Sequence, residues 1–437
     1  MTHARFHIDA DWPKAPAAGA RDAARLSLLV GDHVLTQLAD VRTGALRDHL
    51  RASAVTLAIW LADNWWRLRW ESLPDGRRPS ADWRLRHELT SAPGGTIWPP
   101  LMIYGTGARV VLSPVFGANQ SNGPVRYLDL NVVHVLEGRD YEAGLDAFFE
   151  AVMGACAHAQ DGAALKALVG QLGEERGDAE LGAWRSLEAR LGYDPDAAPE
   201  KLIEGLAALQ DDLGDGAVEE AATAAPGAQA GAVLQKAIEA SEASDIEVDV
   251  SIGQAVDPEV LTPGVTPWRL GEDAARTVRK RIGLPPGPML DDAYADLLRT
   301  PWSDVKAASA TARSLPYAAR LQAKDTTARV ALQTRAAIDR RFELARMIGD
   351  EIWAKRDRFG IVSRAKTERQ KFQRAFAQSL LCPFADLRHH IDLAGPTEAQ
   401  ILNAAKVFDV RPSVIQTLLV NKGVLPRETL EERLEAA

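Results

Sequence analysis

Two helical signals constrain this chain more than any other feature. In the first, Ile338, Phe342, Ala345, Gly349 and Ile352 recur at three- and four-residue spacing, the pattern of a single helix face. Arg346 and Asp350 sit beside that stripe, four residues apart, so both leave the helix on the same side. In the second, Glu368–Pro383 carries Phe372, Phe376, Leu380 and Leu381 and ends in Cys382-Pro383. A chain with this pair places two amphipathic helices against a common core, within what reads as an α+β fold.

The two segments, Arg341-Phe-Glu-Leu-Ala-Arg-Met-Ile-Gly-Asp350 and Glu368-Arg-Gln-Lys-Phe-Gln-Arg-Ala-Phe-Ala-Gln-Ser-Leu-Leu-Cys-Pro383, resemble the core of the ImmA/IrrE-like metallopeptidase family. In that family R-F-x-x-A-H-E-x-x-H occupies one helix, and a later helix supplies a third metal ligand. The resemblance covers roughly 265–425. It places the two zinc-binding histidines at Arg346 and Asp350, the catalytic glutamate at Met347 and the third ligand at Phe372. None of these residue types restores the chemistry. An arginine is not deprotonated to become a ligand, methionine is no general base, and one aspartate cannot supply the three protein donors of a catalytic zinc. The resemblance therefore implies a degenerate zincin-like domain without catalytic residues, metal or cofactor. Arg346 and Asp350 are expected to pair across the vacant site, with Phe372 filling the remaining space. A groove lined by Arg341, Arg346 and Arg374 is expected to hold a protein partner. The family's association with mobile-element regulation implies a role in phage defence or mobile-element control.

The rest of the chain reads as an α+β multi-domain protein with four parts. Residues 1–160 form a mixed α+β unit, with strand-like runs at 4–8, 26–38, 110–112 and 125–135. Ser53 is placed to cap a helix, whose tail Trp65–Trp70 is compatible with helix or strand. A closing helix is expected over Tyr141–Ala157. Residues 161–245 read as an acidic helical segment, 246–264 as a linker rich in turn residues, and 265–427 as the peptidase-like domain. In that last domain a helix from Trp268, a Gly/Pro turn, a helix over Leu290–Leu298 and a hairpin around Asp325-Thr-Thr327 lead into the motif helix. Thr397-Glu-Ala-Gln400 is a capping box for a following helix, and Gly423 is expected to cap the next one.

Seven of the eleven tryptophans fall in the first hundred residues, interleaved with arginines. Large core fillers are the expected reading, with Trp65, Trp66, Arg67 and Arg69 kept as candidates for a partner surface. Charge is uneven as well. Residues 161–249 hold 20 acidic against 6 basic side chains, and 313–374 hold 16 basic against 7 acidic. The basic stretch makes a nucleic-acid-binding regulator the first alternative, although the overall charge of −9 argues against general DNA affinity. A hydrolase with an unrecognised site in the N-terminal unit, or a peptidase whose metal comes from a neighbouring chain, is the second. His3 and His7 lie in a segment that alternates like a strand and has no acidic base between them, His389 with His390 lacks a third ligand, and two distant cysteines form no metal or disulfide spacing. No apolar leader or membrane span is visible, so a cytoplasmic protein is expected.

Overall fold

The computed structural model describes residues 5–13, 22–76, 78–115, 123–128, 130–158, 161–254, 256, 265–324 and 326–426. His3, Asp325, residue 427 and most of the turn-rich stretch 255–264 lie outside them. The fold is α+β and multi-domain. Two compact units divide the chain, one built from 1–204 with 226–228 and 365–367, the other from 205–225, 229–364 and 368–437. This division cuts through the acidic segment instead of setting it apart. Its helices Gly162–Gly177 and Ala179–Arg190 belong to the first unit, whereas Asp215–Ala224 and Ala230–Glu242 belong to the second.

The first unit holds three small antiparallel sheets. In one, strand Ala23–Val30 pairs with Phe6–Asp11, His33–Val34 and Leu50–Ser53. In another, Arg109–Pro114 lies between Leu101–Gly105 and His134–Glu137. The third pairs Leu38–Asp40 with Leu46–Arg47 and Val125–Tyr127. The single strand expected over 125–135 is thus two short strands in different sheets, with a break after Tyr127. Helix Gly138–Ala155 buries Tyr141, Leu145, Phe148, Phe149 and Val152 on the face expected from sequence. It approaches the first strand so closely that a Cβ on Gly144 would stand 2.1 Å from the Phe6 carbonyl oxygen.

Ser53 caps helix Ala54–Asp63 by accepting from the Thr56 N–H at 3.0 Å. Removing that acceptor exposes an orphan donor, so Ser53→Ala should cost about 1 kcal/mol by thermal or urea denaturation. After a break at Asn64 the chain turns helical again over Trp65–Trp70, which settles the ambiguous tail. Helix wins because both faces are occupied. Trp65, Trp66 and Leu68 enter the core, while Arg67 and Arg69 are buried by ion pairs. Arg67 donates to Glu71 (2.6 Å), Asp82 (2.9 Å) and Asp194 (3.3 Å), and Arg69 donates to Glu142 (2.6 Å) and the Gly107 carbonyl (2.8 Å). Trp66 donates to Glu175 at 2.7 Å. These four side chains are therefore not a partner surface. Trp65 and Trp66 are core fillers, as the packing argument expected, and Arg67 and Arg69 are held inside with them by ion pairs.

The second unit is built on an antiparallel sheet of four strands, ordered Glu247–Asp249, Thr327–Ala331, Ala318–Lys324 and Phe359–Val362. The first of these lies inside the expected linker. Ile246, Val248, Val250 and Val256 are core residues, so a stretch chosen for its turn residues begins as a buried strand. Helix Glu368–Leu381 packs between Pro267–Arg281 and Ala337–Trp353. Two glycines permit those contacts: a Cβ on Gly271 would stand 2.6 Å from the Phe372 carbonyl oxygen, and one on Gly349 would stand 3.0 Å from the Phe376 ring. The hairpin, the helix Asp291–Leu298 and the capping box at Thr397 follow the sequence reading. Among the described residues no helix is long and apolar enough to cross a membrane.

Candidate functional site

The positions singled out on the motif helix do meet a second helix and the sheet, but they build an ion-pair network. Asp350 is fully buried. Its Oδ1 accepts from Arg369 Nε and Gln373 Nε2, both at 2.6 Å, and its Oδ2 accepts from Arg320 Nε (3.0 Å) and Arg369 Nη2 (2.9 Å). Arg320 Nη2 also lies 3.0 Å from Oδ2. Burial pushes the Asp350 carboxyl up, but Arg369 and then Arg320 outweigh it and hold the group below the usual carboxylate range. Around this centre, Arg369 pairs with Asp357 at 2.6 Å and Arg320 with Glu351 at 2.9 Å. Burial raises both of those outer carboxyls, opposed by Arg369 and Arg320 respectively.

Three elements place these groups. Arg320 comes from the inner strand Ala318–Lys324, Asp350 and Glu351 from the motif helix, and Arg369 with Gln373 from one face of Glu368–Leu381. The neighbouring strand leaves room only because residue 360 is glycine. A Cβ there would stand 1.8 Å from Asp350 Oδ2 and 2.7 Å from Arg320 Nε. Gly360→Ala is therefore expected to destabilise the second unit by about 1–3 kcal/mol or more, measured by urea unfolding, because neither ion-paired partner can swing away without breaking the network.

Arg346 does not pair with Asp350, contrary to expectation. Its Nη2 donates to the Ser363 carbonyl (2.7 Å), Gln370 Oε1 (2.5 Å) and Gln373 Oε1 (3.3 Å). Gln373 thus stands between the two residues, accepting from Arg346 with its oxygen and donating to Asp350 with its nitrogen. The separation follows from competition, since two guanidiniums already saturate Asp350. Burial, and then the charge of Arg374, pull Arg346 down to about 9, which leaves the guanidinium protonated at neutral pH.

Phe372 does not fill the site either. Its ring packs against Trp353 (centroids 5.2 Å apart) and Phe376 (6.4 Å), within the apolar core. One helical position along, about 100° around the axis, Gln373 faces the network. Met347 is likewise a core residue. The proposed groove fails at two of its three residues. Arg341 is buried, donating to Asp291 (2.7 Å) and the Met289 carbonyl, and Arg346 is buried as described. Arg374 is half-buried. The basic stretch 313–374 divides: Arg320, Arg340, Arg341, Arg346 and Arg369 are buried, whereas Arg313, Lys324, Arg329, Arg335, Arg356, Arg358 and Arg364 are exposed.

Sequence reasoning missed Arg320, Glu351, Asp357, Arg369 and Gln373. Part of the signal was present, because Arg369 and Gln373 share the four-residue spacing of Arg346 and Asp350. Arg320 had none, since its place depends on strand pairing. Asp350 itself has no lone pair left for a ligand or a proton. Every lone-pair direction of Asp350 meets an N–H, from Arg320, Arg369 or Gln373, and the Gln373 amide oxygen is itself taken by Arg346. Among the described residues no group of three or more His, Cys, Asp or Glu side chains converges as a cation site. Compared with known proteins, the chain matches no family model, no curated protein and no solved structure.

Proposed function

We propose that the second unit is a non-catalytic, ImmA/IrrE-like pseudo-peptidase module, and that the protein is a regulatory or scaffolding component acting by binding another protein. The observation that carries this reading is the saturation of Asp350 by Arg320, Arg369 and Gln373 at the place where the family resemblance puts a metal ligand. A buried ion pair of this kind stabilises one arrangement of three elements, which suits a rigid binding module better than a site that must admit substrate. With Arg341 and Arg346 turned inward, the contact surface has to lie elsewhere on the unit. The exposed face of helix Pro267–Arg281 offers Trp268 beside Arg269, Arg276 and Lys280, the residue types that dominate interface energetics. A place in phage defence or mobile-element regulation is part of the same proposal and rests on the resemblance alone.

Two measurements test it. The purified chain should show no proteolysis of an unfolded protein substrate that chelation abolishes. Affinity purification from the native cell should recover one protein in stoichiometric amount, and Trp268→Ala with Arg276→Glu should release it. Chelator-sensitive cleavage would defeat the non-catalytic reading, and a partner retained in full by the double variant would remove this helix face from the proposal.

A further inference from the structure

The first unit contains a pair of histidines that the reading above does not use. His33 Nδ1 and His134 Nε2 lie 2.9 Å apart, with ring centroids at 4.9 Å and planes inclined by 38°. The rings come from different sheets and are 101 residues apart in sequence. Register explains why they meet. His33 pairs with Val30, and Val30 pairs with Phe6, so His33 shares the core-facing side of its sheet. His134 pairs with Leu112 and alternates with the exposed Val135, so it faces the core side of the second sheet. Both rings are part-buried, and neither has another hydrogen-bond or ion-pair partner among the described residues.

We propose that His33 and His134 form a two-histidine chelate for a divalent first-row transition ion, clasping the two sheets that carry them, with water completing the coordination shell. Two metal–nitrogen bonds of ~2.05 Å meeting at a right angle span ~2.9 Å, and at a tetrahedral angle they span ~3.3 Å. The observed separation therefore suits cis positions of an octahedral or tetragonal ion directly, and admits zinc after a small parting of the rings. Imidazole is the ligand type that such ions favour. Among the described residues neither ring has a carboxylate partner. Burial, and then the neighbouring His33, keep His134 below the usual histidine value. The competing account is a plain N–H···N hydrogen bond between two neutral rings.

The test uses the full chain without an affinity tag, titrated calorimetrically with Zn(II) and with Co(II) at pH 7.5. The chelate predicts one saturable site that His33→Gln and His134→Gln each weaken at least about tenfold, while His49→Ala leaves it unchanged. It also predicts a rise in the melting temperature of the unsubstituted chain on adding zinc, absent from both glutamine variants. If a variant fails to fold, histidine-selective nitrogen-15 spectra of the unsubstituted chain give the same decision, because zinc should shift one ring nitrogen of each of the two residues. No saturable binding, or binding equally strong in the variants, or His33 and His134 signals unmoved by zinc, would each overturn the proposal and leave the hydrogen bond.

Discussion

Asp350→Ala is expected to destabilise the second unit by about 3–5 kcal/mol, a large part of the stability of any single domain. The carboxylate is fully buried between two guanidiniums, and its removal leaves Arg320 and Arg369 without their common counter-charge in a place water does not reach. Asp350→Asn should behave nearly as badly, because an amide keeps the volume and loses the charge. Replacing Asp350, Arg320 and Arg369 together by apolar residues of similar size should recover much of the loss, since a buried network costs desolvation that a packed apolar core does not. Urea unfolding followed by circular dichroism separates these outcomes. A loss of less than about 1 kcal/mol in Asp350→Ala would mean that the network contributes little.

The same residue sets a pH dependence. Its folded-state carboxyl is held below the ordinary value, so its stabilising contribution is present in full above that value, near 4, and is lost as pH falls from there through the lower folded-state value. Glu351 and Asp357, raised by burial, contribute with the opposite sign and soften the acid limb.

Phe372→Ala should cost about 3–5 kcal/mol by a different route, the cavity left where the ring meets Trp353 and Phe376. This variant separates two views of the position. Were Phe372 a filler in a vacated metal site, an acidic replacement would be tolerated there. In the observed packing Phe372→Glu buries an unpaired charge and should be more damaging than alanine, whereas Phe372→Leu should lose only about 1–2 kcal/mol. Denaturation midpoints of the three variants, compared under one set of conditions, decide between them.

Much of the architecture was legible because it is local. The 3.6-residue stripe places Ala337–Trp353 as a helix, the Thr397–Gln400 capping box starts the next-to-last helix, and the polar turn marks the hairpin. Boundaries were legible where a side chain acts on its own backbone, as Ser53 does. They were misread where distant contacts decide. Glu247–Asp249 looks like linker because Pro and Gly follow it, yet it is a strand because Thr327–Ala331 lies ready to pair with it.

The motif positions divide along the same line. From the sequence alone, Arg346 and Asp350 share a helix face as a guanidinium and a carboxylate, because side-chain chemistry and helical period are local properties. Which groups they meet is a tertiary fact. Strand pairing brings Arg320 beneath Asp350, Gly360 leaves the space, and the rotation of Glu368–Leu381 presents Arg369 and Gln373 while turning Phe372 into the core. A carboxylate in low dielectric takes the partners that neutralise and hydrogen-bond it best, and those lay 19 to 30 residues away, not four.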